Sequence, residues 1–272
     1  MFGLSEGVFL KMQPVVLIGT PDKLSVLVES FLFSMGVPHL SLDENYLVEA
    51  SKVRQKTSCD TSSDIFEAIY KIESATGFLT TPFSINKDTT KTEDQNERYW
   101  SEWGAFMGGV LHRNGNALNP PYQGSWCGPH PTIFSQIATL ERHYFKNLKA
   151  PSILELVDLF ETNKFKIEGG GFCVPLKFWT ETNSEDSLLE FSCCFIDDCI
   201  MYSDNPDSET KNLLFEICST FRTEHNLRIG QVCIVKNSHN HLFRYAISRP
   251  RLDSFNWQQQ ASIVREIVKA LL

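Results

Sequence analysis

A strand, a helix and a second strand follow one another at the start of this chain within about 30 residues, which is the repeating unit of a parallel sheet. Residues 15–18 are a short apolar run typical of a buried strand. The turn after them predicts a helix over residues 24–35 with Thr20 as its N-terminal cap. Gly36 stands where a helix C-terminal glycine belongs, and residues 37–42 predict the second strand. This pattern predicts an α/β fold.

The rest of the chain divides at a stretch rich in proline and glycine, residues 114–131, which cannot continue a helix. Apolar periodicity predicts helices over residues 65–72, 98–112, 133–145, 209–225 and 257–271. Strands are predicted over residues 77–83, 172–179, 188–196, 199–202, 231–235 and 242–247. We therefore predict a first domain over residues 1–118, a connection with a helix over 119–150, and a second domain over 151–272.

Charge and cysteine usage exclude several classes of protein. The formal net charge is -8, whereas a nucleic-acid-binding surface needs clustered Lys and Arg. The apolar runs are shorter than the roughly 20 residues of a membrane helix, and the first ten residues lack the pattern of a signal peptide. The 8 cysteines show no Cys-x-x-Cys spacing, which favours buried free thiols in a reducing compartment. We expect a cytoplasmic protein without nucleic-acid or membrane partners.

The best candidate for a phosphate-binding loop is a lysine followed by a run of glycines. Lys166 precedes Gly169, Gly170 and Gly171, and glycines allow backbone N–H groups to approach a ligand closely. Lys177, on the predicted strand that follows, is a candidate phosphate ligand. The alternatives are a simple hairpin for the glycines and a solvent-facing side chain for Lys177, since the chain lacks a Gly-x-x-x-x-Gly-Lys-Ser/Thr pattern.

Other groups of residues have a chemical and a simpler interpretation. They are Asp197 with Asp198, His239 with His241, Cys127 with His130, and the stripe formed by Trp100, Trp103 and Phe106. Adjacent acids in a turn seldom reach one atom, and two histidines need a third ligand to hold zinc. Cysteine–histidine chemistry requires contact in space, and aromatic residues at helical spacing are usually core. The simpler interpretations are a hairpin turn, surface residues, a loop cysteine and a packed helix.

Several segments, taken in order, carry a resemblance to a known family: residues 15–45, 100–106, 118–121, 130–138, 149–152 and 209–247. This order resembles the ATP-grasp superfamily, especially the ligases that cross-link or extend ribosomal peptides, the microviridin-type maturases. The resemblance implies a Rossmann-like N-terminal domain followed by an ATP-grasp-like α+β domain, which the short span between residues 151 and 188 predicts to be truncated. It also implies ATP and magnesium as cofactors and a carboxylate joined to an amine or hydroxyl through an acyl phosphate.

The departures from that family concern its metal site. Where the resemblance implies a magnesium-binding Asp, residues 230–234 read Gly-Gln-Val-Cys-Ile. Where it implies Glu-x-Asn followed by Pro, the chain places Arg244, Arg249 and Arg251 around an uncharged strand end. Magnesium takes oxygen ligands, and phosphoryl transfer relies on its charge. We therefore expect no metal site and treat the three arginines as candidate anion-binding residues.

Three functions stay open on this basis. The first is an ATP-grasp-like protein without ligase activity and without a cofactor, acting as a binding or accessory subunit in a peptide-modifying pathway. Its partner would be a peptide or a protein, including an active ligase subunit, in a homo- or hetero-oligomer. The second is an active but divergent ATP-dependent ligase using Lys166, Lys177 and the glycines. The third is an unrelated α/β binding module.

Overall fold

The computed structural model describes these parts of the chain: residues 13–42, 72, 74–80, 105, 108, 109, 111–113, 116–119, 133–143, 148–149, 166–168, 171–173, 189–236 and 241–272. The described residues between 105 and 113 are helical, as predicted for 98–112. The predicted aromatic stripe and the Cys127 and His130 pair lie outside the described residues.

The first sheet is parallel and has three strands. Its elements are β1 (Val15–Ile18), α1 (Lys23–Ser34), β2 (His39–Leu42) and β3 (Gly77–Thr80). The strand order is β2-β1-β3, and β1 pairs with both neighbours in parallel. All four residues of β1 are buried, as expected for the central strand of a sheet covered by helices. The predicted strand–helix–strand unit is confirmed.

The cap of α1 differs from the prediction. Asp22, not Thr20, is the N-cap: its Oδ1 accepts from Ser25 N at 2.8 Å, and Ser25 Oγ accepts from Asp22 N at 2.8 Å. This reciprocal pair satisfies two backbone donors at once, because Ser25 stands three residues after the carboxylate. At the other end the prediction is confirmed, since Gly36 adopts a φ of +68°, which glycine tolerates without strain.

The second sheet has five strands and three long helices. Its strands are β4 (Leu148–Lys149), β7 (Leu189–Ile196), β8 (Cys199–Tyr202), β9 (Ile229–Lys236) and β10 (His241–Ile247). Its helices are α2 (Ile133–His143), α3 (Ser208–His225) and α4 (Trp257–Leu271). The order is β4-β10-β9-β7-β8, antiparallel except for the β4–β10 pair. A separate antiparallel hairpin joins β5 (Lys166–Glu168) to β6 (Gly171–Cys173).

Side-chain alternation along β7 divides the second sheet into two buried faces. Cys193 and Phe195 belong to a core cluster with residues of α2 and α3. Cys194 and Ile196 belong to another cluster, which contains residues of α1, α4 and the first sheet. The second sheet is therefore a middle layer, and its second face joins it to the parallel sheet.

The C-terminal helix packs directly on the parallel sheet. An added Cβ at Gly77 in β3 would lie 2.3 Å from the carbonyl oxygen of Leu271 at the end of α4. Only a glycine lets the two backbones approach this closely. None of the helices in the described ranges combines the length and apolar character that a bilayer crossing requires.

Two histidines, His241 buried and His225 partly buried, make the stability of the second sheet depend on pH. His241 Nε2 is hydrogen-bonded to Thr210 Oγ1 at 2.9 Å, and His225 Nε2 to Thr139 Oγ1 at 3.2 Å. Burial, together with the charge of Lys236, lowers the pKa of His241. Burial also lowers the pKa of His225. Both shifts favour the neutral imidazole in the folded protein.

We expect the free energy of unfolding to fall as the pH drops below about 6.5, the ordinary pKa of histidine. In that range the unfolded chain binds more protons than the folded one, so the stability present at neutral pH is lost. Each histidine contributes a slope of at most about 1.4 kcal/mol per pH unit. Urea denaturation at several pH values between 7 and 5 measures it. His241→Gln should flatten the profile, whereas His112→Gln, at an exposed position, should not; equal profiles for both variants would contradict the assignment.

Candidate functional site

A row of polar side chains crosses the second face of the five-stranded sheet, beyond the part that α4 covers. The register places Ser192 of β7 opposite Cys233 of β9, and Cys233 opposite Tyr245 of β10. Gln231 lies two residues from Cys233 on the same face. All four residues are buried. We call these four residues, with Glu190 and Arg244, the polar face.

At the centre of the polar face, the Arg244–Glu190 ion pair lies beside the Cys233 thiol. An irregularity in the β9–β10 pairing leaves Arg244 without a cross-strand partner. Arg244 Nη1 donates to Glu190 Oε2, and Cys233 Sγ donates to Glu190 Oε1 at 3.3 Å. The guanidinium carbon of Arg244 lies 5.7 Å from the centre of the Tyr245 ring, a cation–π distance. Both oxygens of the carboxylate are therefore engaged by this chain's own donors.

The Cys233 thiol is protonated in this setting. Burial raises its pKa, and the negative charge of Glu190 raises it further. A protonated thiol is a weak nucleophile and a poor metal ligand. Cys233 is therefore a hydrogen-bond donor to the carboxylate and not a reactive group.

Gln231 connects the polar face to the turn after β10. Its Nε2 donates to Ser254 Oγ at 3.2 Å and reaches Tyr245 Oη at 3.5 Å. Its Oε1 accepts the backbone N–H of Arg251 at 2.7 Å. The amide at this position is thus used to hold the 3-10 turn Leu252–Ser254 against the sheet.

Two buried polar atoms of the polar face lack a hydrogen bond. They are Ser192 Oγ and Arg244 Nε, both of which can donate. Buried polar groups are rarely left without a partner, because each costs about 1–3 kcal/mol. Across the described residues, no group of three or more His, Cys, Asp or Glu side chains comes together as a metal ion would require.

A second polar cluster lies where the two sheets meet. Arg249 Nε and Nη2 donate to the two carboxylate oxygens of Asp22 at 2.6 and 2.7 Å, and Nη1 donates to Thr80 O at 2.7 Å. Burial alone would raise the pKa of Asp22, but the hydrogen bonds and charge of Arg249 lower it. Arg249 therefore fills the edge of the parallel sheet where β3 ends and α1 begins.

Asn119 fixes the same junction through four hydrogen bonds. Its Nδ2 donates to Ile229 O at 3.0 Å and Ser248 O at 2.7 Å. Its Oδ1 accepts from Arg228 N at 3.0 Å and Ile229 N at 3.1 Å. Asn119, Ser248 and Arg249 line a cavity of about 10 Å³ together with apolar residues, close to the room that one water molecule needs.

The glycine run and the lysines predicted for phosphate binding are only partly described. Lys166 lies in β5 and Gly171 begins β6, so these residues do form the two strands of a hairpin. Gly169, Gly170 and Lys177 lie outside the described residues. β6 packs against β10, the strand that carries Arg244. A phosphate-binding role for this hairpin stays a prediction.

The three arginines predicted to bind an anion have different partners. Arg244 pairs with Glu190, whereas Arg249 pairs with Asp22. Arg251 donates its backbone N–H to Gln231. The structure therefore does not bring their three charged groups to a single shared partner, and their anion binding stays a prediction.

The simpler interpretation of the paired aspartates is confirmed. Asp197 and Asp198 form the β7–β8 turn, with Asp197 at a φ of 47°. Asp197 accepts two hydrogen bonds from Arg228 at 2.9 Å, and Asp198 one from Arg222 at 2.8 Å. His241 is buried against Thr210, and His239 lies outside the described residues.

Sequence reasoning missed Glu190 and Ser192. The signal that could have found them is their spacing of two in the strand, which places both on one face. The register that brings this face beside Cys233 is set by long-range pairing of β7 with β9 and has no local sequence signal.

Solved structures of similar fold include ATP-grasp ligases. The ligase PsnB, complexed with a minimal precursor, Mg and ADP, is 14% identical with a TM-score of 0.57, covering 94% of this chain and 98% of its own. The macrocyclase MdnC from Microcystis aeruginosa MRC, bound with precursor peptide MdnA, is 10% identical with a TM-score of 0.59, covering 95% and 99%. D-alanine–D-alanine ligase from Bacillus anthracis, complexed with ATP, is 11% identical with a TM-score of 0.50, covering 96% and 95%. No protein-family model and no curated protein sequence matches this chain.

The chain therefore has the fold of the ATP-grasp ligases over nearly its whole length. The resemblance predicted from the order of its sequence segments is confirmed at this level. The predicted mixture of helices and sheets is also confirmed. The Rossmann-like character of the first domain, the truncation of the second and the three domain boundaries stay predictions.

Proposed function

We propose that this protein uses the ATP-grasp fold to bind a peptide or protein partner in a peptide-modifying pathway, and does not itself ligate that partner. The observation that carries the proposal is the state of the polar face. Glu190, the carboxylate described there, is bound on one oxygen by Arg244 and on the other by Cys233. We keep a cytoplasmic setting as part of this proposal.

The described residues of the polar face do not fit a magnesium ion. Magnesium requires several oxygen ligands in near-octahedral geometry. Here one engaged carboxylate stands beside a guanidinium, whose positive charge opposes a second cation. Gln231 cannot replace an acid, because its oxygen accepts the Arg251 N–H and its nitrogen faces Ser254. Magnesium and ATP would supply activation of a carboxylate as an acyl phosphate, but Glu190, the carboxylate of the polar face, is already bound by Arg244 and Cys233.

A peptide partner is supported by the fold neighbours. PsnB was crystallised with a minimal precursor and MdnC with its precursor peptide, at a fold likeness that covers nearly all of this chain. A scaffold that loses its metal site can keep the surfaces that bind the peptide, since these are separate sets of contacts. We therefore propose peptide binding without phosphoryl transfer, either alone or beside an active ligase subunit.

A divergent ligase is the alternative function that a specific observation supports. The β5–β6 hairpin, with Lys166 and Gly171, packs against the strand of Arg244. In that case the hairpin and Lys177 would hold the phosphates of ATP. The ATP-grasp fold gives no support to the unrelated α/β module.

We expect saturating Mg²⁺ and ATP to leave the thermal midpoint of this protein unchanged within about 1 °C. A ligand present at about 100 times its dissociation constant adds roughly 2.7 kcal/mol, which would raise the midpoint of a chain of this size by about 5–10 °C. Differential scanning fluorimetry with and without nucleotide measures it, with an active ATP-grasp ligase as the positive control.

Two outcomes separate the functions. A clear nucleotide-dependent shift that Lys166→Ala abolishes would support the divergent ligase and overturn the proposal. No shift, together with binding of a precursor peptide encoded beside this gene, would support the proposal. Release of ADP in the presence of that peptide would sink it independently of any effect on stability.

A further inference from the structure

Two thiols meet inside the core between β7 and α3. Cys193 of β7 and Cys218 of α3 place their Sγ atoms 3.0 Å apart. Both side chains are fully buried in the cluster that fills the space between the sheet and this helix. Both are free thiols in the structure. Proximity of this kind between two separate elements is not needed for packing, which any small apolar residue could supply.

We propose that Cys193 and Cys218 are a latent disulfide that a two-electron oxidant such as hydrogen peroxide closes, cross-linking β7 to α3. The sulfur atoms need to approach by about 1 Å to reach bonding distance. Rotation about the two Cα–Cβ bonds is the motion that would bring them together. The bond would join the middle of the helix to the middle of the strand.

The oxidation balances with peroxide as the oxidant. One thiolate attacks a peroxide oxygen, breaks the O–O bond and becomes a sulfenic acid, releasing hydroxide. The sulfur of the second cysteine then attacks the sulfenic sulfur, forms the S–S bond and displaces hydroxide. With the two thiol protons, the two hydroxides leave as two water molecules. Two thiols and one peroxide therefore give one disulfide and two waters.

The other cysteines whose side chains the structure describes are placed differently. Cys194 packs on the opposite face of the sheet, in the cluster of α1 and α4. Cys233 on that face donates to Glu190. Cys199 is partly exposed on β8. Among the five cysteines whose side chains are described, Cys193 with Cys218 is the pair whose sulfur atoms are in contact.

Burial sets the rate of the reaction. It raises the pKa of the Cys218 thiol, and the neighbouring Cys193 raises it further. Thiolate is therefore scarce, and the oxidant gains access only when α3 opens locally. We expect the cross-link to form slowly at neutral pH and faster as the pH rises.

The consequence for the polar face follows from alternation along β7. Cys193 points to α3, whereas its neighbour Ser192 points to the polar face, with Glu190 two residues before Ser192. Fixing Cys193 to the helix restrains the strand that carries both polar residues. The cross-link would therefore couple the redox state of the two cysteines to the polar face. The cross-link itself does not depend on the proposed function of that face.

The test uses the full chain, oxidised while folded with a small excess of hydrogen peroxide and then alkylated under denaturing conditions. Peptide mapping by mass spectrometry should find one cross-linked peptide containing Cys193 and Cys218, lighter by two hydrogen atoms. The closed loop spans 25 residues along the chain. It should raise the thermal midpoint by about 5–10 °C, reversibly with dithiothreitol.

Two variants keep the test specific. Cys218→Ala should abolish both the cross-linked peptide and the shift, whereas Cys199→Ser, at a partly exposed thiol, should retain both. Full alkylation of Cys193 and Cys218 after oxidation, or their pairing with other cysteines, would overturn the proposal. If Cys218→Ala fails to fold, the peptide map of the unmodified chain decides the question by itself.

Discussion

Asn119→Ala is expected to lower the free energy of unfolding by about 4 kcal/mol, a larger loss than we expect for Arg249→Met. The substitution removes the four hydrogen bonds that Asn119 makes to backbone groups at the ends of β9 and β10: Ile229 O, Ser248 O, Arg228 N and Ile229 N. A buried polar group left unpaired costs about 1–3 kcal/mol, and entry of water into the small cavity beside Asn119 recovers part of the total.

Chemical denaturation at neutral pH measures this loss. Asn205→Ala is the matched control, because Asn205 is exposed and accepts one hydrogen bond from Lys211 at 2.9 Å. It should change the stability by less than about 0.5 kcal/mol. Asn119→Asp should also be strongly destabilising, since its carboxylate would face the two carbonyl oxygens that Nδ2 now binds. A loss below about 1 kcal/mol for Asn119→Ala would show that the four contacts are not formed together.

Arg249→Met is expected to lower the free energy of unfolding by about 3 kcal/mol. Methionine retains only the apolar part of the side chain, so the charge and hydrogen bonds that Arg249 gives to Asp22 and the hydrogen bond to Thr80 O are lost. Breaking one side of a buried ion pair costs about 3–5 kcal/mol, and the lower end applies because the Asp22 side chain is 41% exposed. The loss should appear as a lower midpoint in urea with an unchanged slope.

The double variant tests whether the ion pair is responsible. Asp22→Asn keeps an N-cap for α1 but removes the charge, so Arg249→Met should cost clearly less in that background. Lys23→Met is the matched control, since Lys23 and Asp253 form an ion pair whose side chains are 53% and 77% exposed. An exposed pair of this kind contributes about 0–1 kcal/mol. Equal losses for Arg249→Met with and without Asp22 would assign the effect to packing.

Both predictions concern the contact between the parallel sheet and the five-stranded sheet. Asn119 and Arg249 each join backbone or side-chain groups that lie more than 100 positions apart in the chain. Because the Arg249 guanidinium binds Asp22 in this contact, an anion could bind to Arg249 only by displacing Asp22. The proposed function therefore rests on the polar face and not on this junction.

The regular elements were largely predictable because they arise from local patterns. The strand Val15–Ile18 and the helix Trp257–Leu271 agree with their predicted bounds, since apolar runs and helical periodicity are properties of neighbouring residues. The predicted N-cap of α1, Thr20, was wrong by two positions, because Asp22 and Ser25 together satisfy more backbone N–H donors than Thr20 would. Ends of elements depend on such short-range competition and are harder to predict than their middles.

The sequence by itself determined the α/β character, the order of the elements and the presence of Gln231, Cys233 and Arg244, with no acidic residue, in the last two strands. Only the tertiary structure decided that Glu190 lies beside these residues and that Arg244 and Cys233 engage its two oxygens. The physical reason is register: pairing of β7 with β9 is set by long-range burial, and a shift of one residue would turn Glu190 to the other face. The Cys193–Cys218 contact could not be predicted from the sequence for a similar reason, since it depends on the packing of α3 against β7, with the two cysteines 25 residues apart.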